Sequence, residues 1–173
     1  MRRAFTLIEL LVVIVILGIL MTIVVSVVPN VMVRAKKTKT LAVINAVRTA
    51  LDQYMDENQE AVPPIADWKG PEDESGIALL TKALKHYIRK DKDTYVYSQR
   101  EKMDVIADGF GRPMRYRSSY DENMTLRPDI HNRGEDYNEP MYDLWSAGPD
   151  GKDQYYEPGN GDDICNWEQR KAR

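Results

Sequence analysis

The chain has a single cysteine, Cys165, among its 173 residues. No internal disulfide can form, and no thiolate-rich zinc site can be built. Histidine is almost as scarce: His86 and His131 are the only two, and neither has the spacing of a metal ligand or a catalytic dyad. No phosphate-cradling glycine loop is present, and Ser146 lacks a Gly-x-Ser-x-Gly setting. These gaps argue against an enzyme. An excess of basic charge is also missing. The net charge is -3, whereas a nucleic-acid binder carries a basic face. The longest gap is in ionisable side chains: from Leu10 to Val28 there is none.

That run can cross a bilayer, since about 20 apolar residues at about 1.5 Å each span the hydrocarbon core. One acid, Glu9, stands at its mouth. A carboxylate dragged to the membrane centre costs on the order of 3 kcal/mol. A simple anchor has little use for it, so the position implies a positive partner supplied by something else inside the membrane. Arg2 and Arg3 give the basic start of a secretory signal peptide. The run is too long for a signal h-region, and Ser26-Val27-Val28-Pro29-Asn30 is a poor cleavage site. On the residues alone, a plain single-span anchor and a span with an intramembrane partner both stay open.

Beyond Pro29 a helical pattern resumes. Leu41, Ile44, Val47, Leu51 and Tyr54 recur at steps of three and four and mark one apolar face. The spacing predicts one long helix from about residue 6 to about residue 58, bent or loosened between Gly18 and Pro29. Its stripe would pack on a small sheet. Arg34, Lys36, Lys37 and Lys39 form a basic cluster suited to lipid headgroups. Val62-Pro63-Pro64 ends the helical pattern. Residues 67–76 read as a loop, and 76–84 as a short helix with Ile77, Leu80 and Leu84 on one side. Asp108-Gly109-Phe110-Gly111-Arg112-Pro113 is a turn signal, followed by strand-like alternation at 114–117. A further strand is expected at 141–146 and a short edge at 164–167. Residues 118–140 are polar and aperiodic, a long loop or insertion. With 29% charged residues overall, the part after the apolar run has only a modest core.

Ala4-Phe5-Thr6-Leu7-Ile8-Glu9 resembles the prepilin-type leader shared by type IV pilins and type II secretion pseudopilins. The resemblance implies cleavage between Ala4 and Phe5, methylation of the new amine on Phe5, and pairing of Glu9 with the terminal amine of a neighbouring subunit. Two departures stand out. Ala4 replaces the usual Gly before the cut, and Pro29 lies a few residues beyond the usual helix proline. The soluble half narrows the resemblance to the major pseudopilins of type II secretion systems. It is carried by Ala50-Leu51-Asp52-Gln53-Tyr54, by Pro63, and by Gly76-Ile77-Ala78-Leu79-Leu80. The turn at 108–116 also carries it, although the family has a Pro and a Trp there. It is strongest over Asp143-Leu144-Trp145-Ser146-Ala147-Gly148-Pro149-Asp150-Gly151, closed by Asp162-Asp163-Ile164-Cys165-Asn166-Trp167. Residues 118–140 are not covered, and the stretch between Asp150 and Asp162 is longer than the family's.

Asp150, Asp153, Glu157, Asp162 and Asp163 flank a glycine-rich loop. Composition alone favours a solvated acidic loop, and no EF-hand spacing is present. The resemblance implies one calcium ion held by Asp150, Asp162 and Asp163 with loop carbonyls, including that of Ala147. Calcium takes about six to eight oxygen ligands, which suits such a set.

The fold implied is α+β and pilin-like, a long N-terminal helix on a small antiparallel sheet. Its parts would be a leader (1–4), a transmembrane assembly helix (5–29), a soluble half-helix (30–60) and a globular domain (61–173). The function implied is structural and not enzymatic: a subunit that polymerises into a periplasmic pseudopilus and drives protein export. Its partners would be copies of itself, minor pseudopilins, the prepilin peptidase and the inner-membrane secretion platform, with no nucleic acid. The globular domain would be periplasmic. The basic cluster after the span, set against Arg2 and Arg3 before it, favours the opposite orientation. The leader motif is the more specific signal. One rival is a type IV pilus subunit, which often carries a C-terminal disulfide loop that one cysteine forbids. The other is a monomeric, membrane-tethered calcium-dependent binding module, which needs neither Glu9 nor leader cleavage.

Overall fold

The computed structural model describes residues 6–58, 62–63, 73–89, 91, 94–118, 142–154 and 161–166. The chain divides into two units, residues 1–35 and 36–173. Helix α1, Leu7–Glu57, contributes to both.

In the first unit the helix is bare. Its large apolar side chains are exposed, from Leu7 at 82% to Val33 at 38%. Such surface costs about 25 cal/mol per Å² in water, so this segment needs an apolar surrounding. By length and composition α1 can cross a membrane. The helix runs unbroken through Pro29, so the loosening expected from sequence does not interrupt it. Pro29 removes only the N–H that would bond the Val25 carbonyl.

In the second unit α1 buries one face. Val43, Ile44, Val47, Ala50, Leu51 and Met55 are all at most 8% exposed. Leu41, expected on this face, is 49% exposed. It lies about 120° around the helix from Val47, outside the buried stripe. Tyr54 is half-buried.

Helix α2, Ser75–Ala83, falls where the short helix is expected. Ile77, Leu80 and Leu84 are buried together as its spacing implies. The Asp73 carboxylate accepts the Ser75 N–H at 2.9 Å and so satisfies one orphan donor of the first turn. Thr81 donates its hydroxyl to the Ile77 carbonyl at 2.7 Å and accepts the Ile106 N–H at 3.1 Å. That side chain ties α2 to the strand that ends at Ile106.

Strands β1, Tyr95–Ser98, and β2, Met103–Ile106, form an antiparallel hairpin in which Tyr95 faces Ile106 and Ser98 faces Met103. The sequence reading assigns nothing here. Its connection, Gln99-Arg100-Glu101-Lys102, holds none of the Gly, Pro, Asn or Asp that flag a turn. Lys102 itself adopts the positive φ of 53°.

Strands β3 (Arg115–Ser118), β4 (Tyr142–Ser146) and β5 (Ile164–Cys165) make a second antiparallel sheet in the order β3-β4-β5. β3 and β4 lie within a residue of their expected places, and β5 starts at the expected Ile164 but ends at Cys165. Among the described residues the strands thus form two small sheets, where one is expected. Residues 119–141, most of the expected loop, lie outside the described residues, as does Trp167. Strand β4 is central and buried at every position. Asn166 extends its pairing: the side-chain oxygen accepts the Leu144 N–H at 2.9 Å and the amide donates to the Tyr142 carbonyl at 3.0 Å.

Leu51, Ile77, Leu80, Ile106, Met114 and Leu144 belong to one hydrophobic cluster that joins α1, α2 and both sheets. Leu144→Ala should therefore cost about 2–5 kcal/mol. Leu41→Ala, on an exposed helical position, should stay within about 0.5 kcal/mol. Denaturant unfolding of the two variants in detergent checks this; equal costs would contradict the place of Leu41 outside the buried face.

Candidate functional site

The start of α1 is a capping box. Thr6 Oγ1 accepts the Glu9 N–H at 3.3 Å. Glu9 Oε2 in turn accepts the Thr6 N–H and the Thr6 hydroxyl, each at 2.8 Å. Among the described residues, both bonds to the carboxylate fall on Oε2. The Thr-x-x-Glu pattern carries this signal in the sequence, and reading Glu9 only as an assembly carboxylate passes over it. Ala4 and Phe5, the expected cleavage pair, lie outside the described residues.

The C-terminal loop is built on a buried acid that the sequence reading missed. Asp108 is 1% exposed. Its Oδ1 accepts the Phe110 N–H at 2.8 Å and the Arg112 N–H at 2.9 Å, which closes the turn over residues 108–112. Its Oδ2 accepts the Ser146 hydroxyl at 2.5 Å, and Ser146 Oγ accepts the Gly148 N–H at 3.2 Å. The end of β4 and the start of the loop are thereby fixed to that turn. The only sequence signal was the turn motif itself, since a lone Asp and a lone Ser carry no spacing pattern.

Asp150, Asp162 and Asp163 come to the same loop. The Asp150 N–H donates to Asp162 Oδ2 at 3.3 Å, and the Lys152 N–H donates to Asp150 Oδ1 at 2.8 Å. Asp163 Oδ2 accepts the Gln154 N–H at 2.9 Å. Asp162 Oδ1 is buried and takes no hydrogen bond among the described residues. It faces Gly148, whose φ is 57°. A Cβ there would lie 2.4 Å from the Asp162 carbonyl oxygen and 2.7 Å from Oδ1, so only glycine fits.

Burial pushes the Asp163 carboxyl up to about 7 from 3.8; the Gln154 N–H opposes this, and the charges of Asp153, Asp162 and Asp150 add to it. Asp153 is partly answered by Arg115, with Nε 3.9 Å from its Oδ2. The Ala147 carbonyl accepts the Gly151 N–H at 3.0 Å, which leaves its second lone pair. Among the described residues no three acidic, His or Cys side chains converge as metal ligands. The three expected aspartates share the loop without meeting, each held by a backbone N–H. Like charges this close stay apart unless something neutralises them. Glu157 lies outside the described residues.

Residues 1–25 match the family described as the prokaryotic N-terminal methylation motif. No solved structure gives a significant match. A type II secretion system core protein G from Pectobacterium carotovorum subsp. carotovorum is 32% identical over 170 residues, covering 96% of this chain and 85% of that protein. The core protein G of Escherichia coli is 31% identical over 181 residues, covering 99% of this chain and 95% of its own length. That of Dickeya chrysanthemi is 31% identical over 169 residues, with 96% and 86% covered. With at least 96% of this chain and 85% of each relative covered at 31–32% identity, the chain belongs to the type II secretion system core protein G family, the major pseudopilins.

Proposed function

We propose that this chain is a membrane-anchored subunit that polymerises into a periplasmic pseudopilus and drives protein export. The observation that carries the proposal is a bare apolar half-helix with a capped carboxylate at its start, in a member of a structural and not an enzymatic family. A bare apolar stretch is stable in lipid, and again when copies of it pack together. Glu9 supplies the selectivity. Its carboxylate meets the terminal amine of a neighbouring subunit at low dielectric, where a charge pair is far stronger than in water. Thr6 holds Oε2, and the remaining carboxylate valences suit an incoming N–H. The partners on this reading are other copies, minor pseudopilins, the inner-membrane secretion platform and a prepilin peptidase.

The peptidase would cut between Ala4 and Phe5, and the new amine on Phe5 would be methylated. The intact mass of protein extracted from membranes should then match a chain that starts at Phe5 and carries one N-methyl group. A mature protein that keeps residues 1–4 in cells with an active prepilin peptidase would remove the amine that Glu9 is meant to meet.

We further propose that the C-terminal loop takes up a calcium ion. What supports this is that, among the described residues, its carboxylates and carbonyls offer hard oxygens, and Asp162 Oδ1 is a buried acceptor with no hydrogen bond there. Asp150, Asp162 and Asp163 would hold the ion, with the Ala147 carbonyl. When bound, the ion would supply the positive charge that these carboxylates need to approach one another. The chain's own residues do the rest: Gly148 makes room for Asp162, and Asp108 with Ser146 fixes the strand end from which the loop departs.

A further inference from the structure

We propose that Arg112 is the positioning residue of the C-terminal loop, presetting the 147–151 turn for calcium and tying it to helix α1; the inference rests on the calcium reading above. Arg112 Nη1 donates to the Gly148 carbonyl at 2.9 Å, and Nη2 donates to the Pro149 carbonyl at 3.0 Å. A planar guanidinium fork suits two adjacent carbonyls, which an ammonium cannot serve in the same way. Both carbonyls are thus turned toward the arginine. The Ala147 carbonyl, which the arginine does not touch, accepts the Gly151 N–H within the same turn.

The same guanidinium packs on Gly151, where a Cβ would lie 2.4 Å from Nη1. Arg112 therefore holds the backbone on both sides of Asp150. The arginine is itself fixed. Its N–H bonds Asp108 Oδ1 at 2.9 Å, and its carbonyl accepts the Asp108 N–H at 2.8 Å. Its Cζ lies 5.5 Å from the centroid of the Phe110 ring, and Lys36 Nζ lies 5.8 Å from the same centroid. Gly109 sits directly on α1: a Cβ there would be 2.1 Å from the Lys36 carbonyl oxygen, and its N–H donates to Thr40 Oγ1 at 2.9 Å. The route runs from Lys36 and Thr40 through the 108–112 turn and Arg112 to the loop that bears Asp150.

Charge makes the test sharp. Arg112 is a cation beside a cation site, so removing its charge should by itself tighten calcium binding. Weaker binding without Arg112 can come only from lost positioning. Full-length protein in detergent micelles is titrated with calcium by calorimetry and melted with and without the ion. Arg112→Gln should bind calcium roughly tenfold more weakly or worse, and its calcium-induced rise in melting temperature should shrink. Arg112→Lys keeps the charge but not the fork, and should show the same loss. It carries the test if Arg112→Gln does not fold. A plain structural staple predicts otherwise: melting falls equally with and without calcium, and affinity holds or tightens. That result overturns the proposal. A wild-type protein that binds no calcium overturns the calcium reading itself, and this inference with it.

Discussion

Glu9→Leu should leave membrane insertion intact and cut subunit crosslinking through introduced cysteine pairs roughly tenfold or more. Insertion survives because the change makes the span more apolar. Crosslinking falls because an opposite charge pair about 4 Å apart, at an effective dielectric near 20, is worth about 4 kcal/mol. The capping box complicates this variant, since Leu also removes the carboxylate that caps Thr6. Glu9→Gln separates the two roles. Gln at the third helical position can still reach back to the Thr6 N–H, so it keeps the box. It carries no charge for an incoming amine. If the carboxylate serves assembly, Gln should fail nearly as badly as Leu. Full crosslinking with Gln and loss with Leu would make Glu9 a helix cap and nothing more.

Chelation should lower the melting temperature of the full chain in detergent by roughly 5–10 °C relative to saturating calcium. A ligand that binds only the folded state at about 100 times its dissociation constant stabilises by about 2.7 kcal/mol. Asp150→Ala or Asp163→Ala should erase the difference, and Asp121→Ala should not. The pH dependence follows from Asp163. Its carboxyl is raised to about 7, above its ordinary 3.8, so the folded chain binds the proton more tightly than the unfolded one. Without calcium, this group's contribution to stability is therefore present at low pH and lost as pH rises toward and past 7. Calcium competes with that proton, so the calcium-dependent gain should grow over the same window. An unchanged melting curve in chelator at pH 8 would count against a metal in this loop.

Much of the fold is legible in the sequence because it rests on long periodic signals. The helix appears as an uninterrupted apolar run followed by an i, i+3, i+4 stripe, and of that stripe only its first position, Leu41, falls outside the buried face. Strands β3 and β4 show through alternation next to recognisable turn chemistry. The hairpin β1–β2 does not, because Lys102 takes a left-handed conformation that sequence statistics assign to glycine. The site is legible only in part. Resemblance points to Asp150, Asp162 and Asp163 as a group, and the fold brings them to one loop. Asp108 and Arg112 stay hidden as supports, since their partners lie 38 residues away at Ser146 and 36 away at Gly148. Contacts at that separation have no period to betray them.

The central claim is that this chain assembles into a filament through the start of its own apolar helix. Electron microscopy of cells that express it with a working secretion platform and prepilin peptidase tests this directly. The account predicts filaments labelled by an antibody to this chain, present with the wild-type protein and absent with Glu9→Gln. Processed, membrane-inserted protein that stays monomeric and forms no filaments under those conditions would contradict it.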